Sequence, residues 1–158
     1  MELILWRHAH AEPGFPDLAR VLSVRGREEA SDAAQWLNEH LPTHLPTPCR
    51  ILVSPAQRTQ QTAATLARLY ETVPALAPEA SMDDLLAAID WPKKKGITLV
   101  IGHQPTLGEV ATYLLGESRW TPKTASLCWL KAVEPSEKLT IEAKRRQAQA
   151  TLVAVFTP

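Results

Sequence analysis

Apolar residues in this chain fall in short runs separated by polar stretches of helical period. Leu3-Ile4-Leu5-Trp6 is four apolar residues long and is followed directly by Arg7-His8. A run of that length suits a buried strand better than a helix. Pro13, Gly14 and Pro16 mark a loop. Ser23 then precedes Val24-Arg25-Gly26-Arg27-Glu28-Glu29-Ala30 and reads as an N-cap, its oxygen serving an orphan N–H of the first turn. The helix it opens runs to about His40, with Ala30, Ala33, Ala34 and Leu37 at helical spacing. Pro42, Pro46 and Pro48 make a stiff connection to a second strand, Arg50-Ile51-Leu52-Val53.

Ser54-Pro55 reads as an N-cap followed by proline at the first helical position. It predicts a second helix from Pro55 to about Glu71, with Ala63, Leu66, Ala67 and Tyr70 on one face. Pro74 to Ser81 is loop or a brief strand. Met82 to about Trp91 forms a third helix, ended by Pro92, and Lys93-Lys94-Lys95-Gly96 is a solvated turn. Ile97-Thr98-Leu99-Val100-Ile101 is the clearest strand, and it runs into Gly102-His103-Gln104-Pro105 and a fourth helix to about Leu115. Leu127 to Val133 and Leu152 to Phe156 are two late strands. Between them the pattern fits either a strand at Leu139-Thr140-Ile141 or a helix over Ala143 to Ala150.

Strands alternating with helices give an α/β class. The expected architecture is a single three-layer domain over residues 1–158, with a largely parallel central sheet and helices on both faces. Parallel strands share a C-terminal edge, where open α/β sheets bind ligands. Three strands deliver chemistry to that edge: Arg7-His8, then Ser54 with Arg58 a turn later, then His103.

Composition removes several classes. Lys+Arg and Asp+Glu both number 17, so the chain lacks the basic excess of a nucleic-acid binder. Two cysteines, Cys49 and Cys128, make no disulfide framework and lack metal-ligand spacing. No apolar run approaches a spanning length, and Glu2 stands where a signal peptide carries positive charge. The expectation is a cytoplasmic monomer that engages neither nucleic acid nor membrane.

Two arginines and two histidines converging on one edge make an anion site. Guanidinium forks match phosphate oxygens bidentately, and a helix N-terminus adds N–H groups. A neutral imidazole there is a competent nucleophile toward phosphorus, with neighbouring arginines lowering its pKa and its second nitrogen fixed on a backbone carbonyl. Two other readings compete. His8-x-His10 has the spacing of a metal pair on one strand face, although the carboxylate-rich remainder of a metal site is missing. The same pocket is also compatible with phosphate recognition without turnover.

Arg7-His8 resembles the Arg-His-Gly signature of the histidine phosphatase superfamily. Val53-Ser54-Pro55-Ala56-Gln57-Arg58-Thr59-Gln60-Gln61-Thr62-Ala63 resembles its second motif, and Gly102-His103-Gln104-Pro105-Thr106-Leu107-Gly108 its third. The short length, the form of the third motif, and Arg20 with Leu22, Ser23 and Gly26 resemble the SixA-type phosphohistidine phosphatase branch. The resemblance implies a metal-independent, cofactor-free phosphohydrolase with His8 as nucleophile. Arg7, Arg58 and His103 would complete the phosphate pocket, and Arg20 would be a fifth member. The implied substrate is phosphohistidine on a signalling or phosphotransfer protein, with small phosphoesters as the alternative. The signature glycine is Ala9 here, so this loop must keep an ordinary backbone. The proton donor of many members has no clear counterpart; Glu79 lies nearest its place, with Asp83 or Asp84 as substitutes. The short segment from Glu71 to Ile97 lacks the longer insertion of sugar-phosphate members, which implies an open pocket. His10 reads as a rim residue, and His40 and His44 as solvated. Trp6, Trp36, Trp91 and Trp129 read as core or core edge, and Trp120 as a candidate for the pocket mouth.

Overall fold

A computed structural model describes residues 1–41, 49–116, 120–133 and 149–158. The prolines of the first connection, His44, and the strand-or-helix choice at 134–148 lie outside the described residues. Six strands form one sheet: β1 (Glu2–Arg7), β2 (Arg50–Val53), β3 (Glu71–Thr72), β4 (Ile97–Gly102), β5 (Leu127–Ala132) and β6 (Ala150–Phe156), in the order β3-β2-β4-β1-β5-β6. The helices are α1 (Val24–His40), α2 (Gln57–Ala64), α3 (Met82–Ile89) and α4 (Thr106–Leu115).

The continuous apolar runs follow from burial on both faces. Ile4 and Trp6 of β1 pack with Ala30, Ala33, Ala34 and Leu37 of α1 and Ala63 of α2. Leu3 and Leu5, pointing the other way, pack with Leu85 and Ile89 of α3 and with Leu107, Val110, Ala111 and Leu114 of α4. The three-layer α/β expectation therefore holds. So does the largely parallel sheet: β1, β2, β3 and β4 run parallel, while β5 pairs antiparallel with β1 on one side and with β6 on the other. The reversal follows from how the preceding segment is tied down. Trp120 N–H bonds to Thr112 Oγ1 on α4, and the Pro122 carbonyl accepts from Arg7 at the C-terminal edge. The chain thus climbs back to that edge before β5, and β5 can only descend.

The second helix differs from the sequence pattern at both ends, and β6 begins at Ala150, two residues before the expected strand and inside the stretch that fits a helix. The second helix begins at Gln57, with Ala56 as its cap. The Ser54 hydroxyl is engaged by His103 Nε2 at 2.7 Å, and the Ser54 carbonyl accepts from the side chains of Thr59 and Gln60. The helix also stops at Ala64 rather than near Glu71, because Glu71–Thr72 pairs with β2 as β3. Ala67 takes a left-handed φ of 52°, and Ala67 and Tyr70 are exposed. Ser23 caps α1 as the sequence indicates, accepting from Gly26 N–H at 3.0 Å. Among the described residues no helix is long and apolar enough to cross a membrane.

Candidate active site

Strand register assembles the site. Arg7 lies opposite Gly102 and Val53 opposite Ile101, so the residues that follow β1, β2 and β4 leave the sheet at one level. The His8 and His103 rings stand 5.1 Å apart, centroid to centroid. His8 Nδ1 donates to the Ala9 carbonyl at 2.8 Å. That bond fixes the tautomer and leaves Nε2 with its lone pair, which accepts from Arg58 Nε at 3.2 Å. Arg58 Nη2 donates to His103 Nδ1 at 3.3 Å, so the other nitrogen of His103 donates to Ser54 Oγ. Arg58 is carried by the first turn of α2 and is almost fully buried, as is His103. Arg7 Nη1 donates to the Pro122 carbonyl at 2.9 Å, while its buried Nε has no partner among the described residues.

The electrostatics keep both rings neutral. Burial, with the charges of Arg58, Arg7 and Arg20 added, pushes His8 down to about 4 against the pull of the Ala9 carbonyl. Burial, then His8 and Arg58, pushes His103 down to about 3, with Asp17 opposing. Burial rather than the arginine charges is the leading cause in both. Burial also lowers the Arg7 guanidinium, with Glu29 working the other way. The arrangement offers one lone pair facing a set of fixed donors, which a tetrahedral oxyanion requires.

The supporting loop is held from α1. His10 turns out of the cluster: its Nδ1 meets Ser23 Oγ at 2.8 Å and its N–H donates to Glu29 at 3.0 Å. The rings of His8 and His10 therefore serve different partners. Among the described residues no three His, Cys, Asp or Glu side chains are grouped to hold a metal. Gly26 makes the tight entry possible, since a Cβ there would lie 1.8 Å from the His10 carbonyl oxygen. Ala9 is fully buried, its N–H donates to Thr62 Oγ1, and its φ is not positive, as alanine in place of glycine requires. Behind Arg7, Ala125 takes a left-handed φ of 56° and its N–H donates to the His8 carbonyl.

Arg7, His8, Arg58 and His103 thus come together as their spacing predicts. Arg20 lies close enough for its charge to act on His8, with its Nε donating to the Glu12 carbonyl and its Nη1 to Asp17. Glu79 is exposed on the loop that Thr106 Oγ1 ties down through the Ala80 carbonyl, beside His103. Asp84 is occupied in the capping box of α3 with Ser81, and Asp83 is exposed in the same turn. Trp120 lines an open cleft of about 640 Å³ that begins at Arg7 and Gln104 and runs along α4 to Tyr113.

Two residues were invisible to motif reading. Asp17 bonds both Arg20 and Arg58; an acid three residues before an arginine was its only signal. Glu29 is a buried acid in line with Ala33 and Leu37 on α1, a spacing that marks the core face. Burial works against its ionised form, yet bonds from the His10 N–H, Thr124 and Arg25 hold it below the usual carboxylate range.

Comparison with known proteins agrees with this geometry. A Haemophilus influenzae protein, "Phosphohistidine phosphatase SixA homolog", is 30% identical over an alignment of 145 residues spanning 82% of this chain and 88% of that protein. The tungstate complex of the protein histidine phosphatase SixA superposes with a TM-score of 0.78 at 22% identity, covering 99% of this chain and 97% of the other. A mycobacterial glucosyl-3-phosphoglycerate phosphatase gives a TM-score of 0.62 at 16% identity over 82% of this chain and 92% of its own. At those identities the two structures establish shared fold only. A family model matches residues 3–99, the stretch that carries nearly all of β1, Arg58 and the first half of β4. With the sequence match, the fold and the strand-end cluster in agreement, the chain belongs to branch 1 of the histidine phosphatase superfamily.

Proposed function

We propose that this protein is a metal-independent phosphohydrolase that removes phosphate from phosphohistidine on a protein, through a phosphohistidine intermediate on its own His8. The observation that carries the reading is the state of His8. Its Nδ1–H is fixed on a carbonyl, and its Nε2 lone pair faces Arg58 beside His103. A phosphoryl oxygen entering between the rings takes over the Arg58 donors now spent on imidazole nitrogens, which frees the lone pair for attack. His8 Nε2 then bonds phosphorus while the bond to the substrate's imidazole nitrogen breaks and that nitrogen leaves with the electron pair. Water attacks the phosphorus of the intermediate, returning His8 and releasing phosphate. Arg7, Arg58 and His103 stabilise charge on the transferring oxygens, with Arg20 at the edge of the pocket. A substrate ring protonated on its other nitrogen departs neutral, so the demand on an acid is small; Glu79 is the proposed donor where one is needed.

A protein substrate is favoured by access. Between α2 and β4, helix α3 packs its Leu85 and Ile89 against α4 in the core instead of covering the site. The cleft along α4 leads away from Arg7, with room for chain flanking a modified side chain. Small phosphoesters would meet the same donors with fewer surrounding contacts. The test compares kcat/KM for a phosphohistidine-bearing protein and a panel of sugar phosphates. The protein substrate should win, and a sugar phosphate ahead by tenfold would overturn the assignment.

A further inference from the structure

Arg58 is held by more than the histidines it faces. Its Nη1 donates to the Asp17 carbonyl at 2.7 Å and its Nη2 to Asp17 Oδ2 at 2.9 Å. The second carboxylate oxygen, Oδ1, accepts from Arg20 Nη1 at 3.0 Å. We propose that Asp17 is a positioning residue for the phosphate pocket that acts through Arg58: it clamps the outer end of the Arg58 guanidinium, so that the inner edge of Arg58 faces an oxyanion seated between His8 and His103. This inference deepens the phosphohydrolase reading and rests on it.

The bond pattern separates two edges of one guanidinium. The outer edge, Nη1 and Nη2, meets a carbonyl and a carboxylate. The inner edge, Nε and Nη2, meets two neutral imidazole nitrogens at 3.2 and 3.3 Å. Bonds to an ionised partner are shorter and stronger than bonds between neutral groups. An arriving phosphate therefore exchanges with the imidazoles and leaves the Asp17 bonds standing. Exposure agrees with that division. The Arg58 side chain is 4% exposed and that of Asp17 is 53% exposed, so the carboxylate sits at the mouth and reaches inward to a buried cation. A buried charge needs such a partner. Asp17 does not serve as the proton donor, because its bonds from Arg20 and Arg58 hold its carboxyl below the ordinary range. Nor does it occupy the phosphate seat, since it engages the edge of Arg58 that faces away from His8.

The experiment measures turnover of a phosphohistidine protein, binding of tungstate as the oxyanion probe, and thermal melting. Asp17→Asn keeps the carbonyl bond and removes the charge; Asp17→Ser is the second variant. Both should lower kcat/KM and weaken tungstate binding at least tenfold in a protein that still melts in one cooperative transition, at a lower temperature than the native one. In an Arg58→Ala background, adding Asp17→Asn should change tungstate binding by less than threefold, because Asp17 acts through Arg58. Native-like tungstate binding in both variants overturns the proposal. Equal losses with and without Arg58 also overturn it, as does tighter tungstate binding, which would make Asp17 a competitor for the anion. If the native protein turns over no phosphorylated substrate yet binds tungstate in an Asp17-dependent way, the phosphohydrolase reading fails and the positioning role stands.

Discussion

At the scale of single residues, the protonation of two imidazoles sets the pH behaviour. As the proposed nucleophile His8 needs its lone pair, and a proton on Nε2 removes it. With His8 held near 4 and His103 near 3, both are neutral through the physiological range. The acid limb of kcat/KM, which reports the free enzyme, should stay flat down to about pH 5 and fall only toward pH 4. An acid limb centred above pH 6 would contradict this environment. Stability follows the same sign. Between pH 6.5 and about 4 the unfolded chain takes up protons on these histidines that the folded chain refuses, so melting temperature should drop as pH falls through that window. His8→Ala should abolish turnover, and quenched native enzyme should carry acid-labile phosphate on His8. Arg58→Ala and His103→Ala should each cost on the order of a hundredfold in rate, the usual loss for one preorganised donor. Effects below tenfold would place the residue outside the pocket.

At the scale of elements, the entry of α1 is the joint that fixes the loop following His8. Ser23 caps the helix, receives the His10 ring, and its N–H bonds the His10 carbonyl. That carbonyl presses on Gly26, where a methyl group has no room. Gly26→Ala should therefore cost about 1–3 kcal/mol as overpacking. For a chain of this size that lowers the melting temperature by about 2–12 °C. Ser23→Ala, a lost cap, should cost about 1 kcal/mol. Calorimetry of the two variants checks the order; a Gly26→Ala protein that melts like the native one would mean that the loop yields without strain.

At the scale of the whole molecule, the sheet edge brings the charges of Arg7 and Arg58 to bear on His8, and the proposed reaction uses them without a metal ion. Phosphatase activity should persist in excess EDTA and be inhibited by vanadate or tungstate, which imitate the tetrahedral and pentacoordinate phosphorus. Loss on chelation, restored by zinc, would revive the metal hydrolase.

Much of this was written in local pattern. Strands buried on both faces appear as unbroken apolar runs, a cap is a single serine before a helical period, and Arg7, His8, Arg58 and His103 stand at strand ends or one turn beyond. Each of those signals depends on neighbours a few residues away. What the sequence could not carry depended on partners far along the chain. Glu71 and Thr72 belong to a strand because β2 is there to pair with them, and that pairing cut short a helix its own residues would have continued. β5 runs antiparallel because the preceding chain is tied to α4 and Arg7. Ala125 is left-handed because the residues around it are bonded to the end of β1, through Trp6, Arg7 and His8. Asp17 and Arg58 are 41 positions apart, so their ion pair has no period to betray it. Backbone preference and periodicity are local free energies legible in the sequence; strand pairing and charge placement are decided only when the sheet brings distant segments within hydrogen-bonding reach.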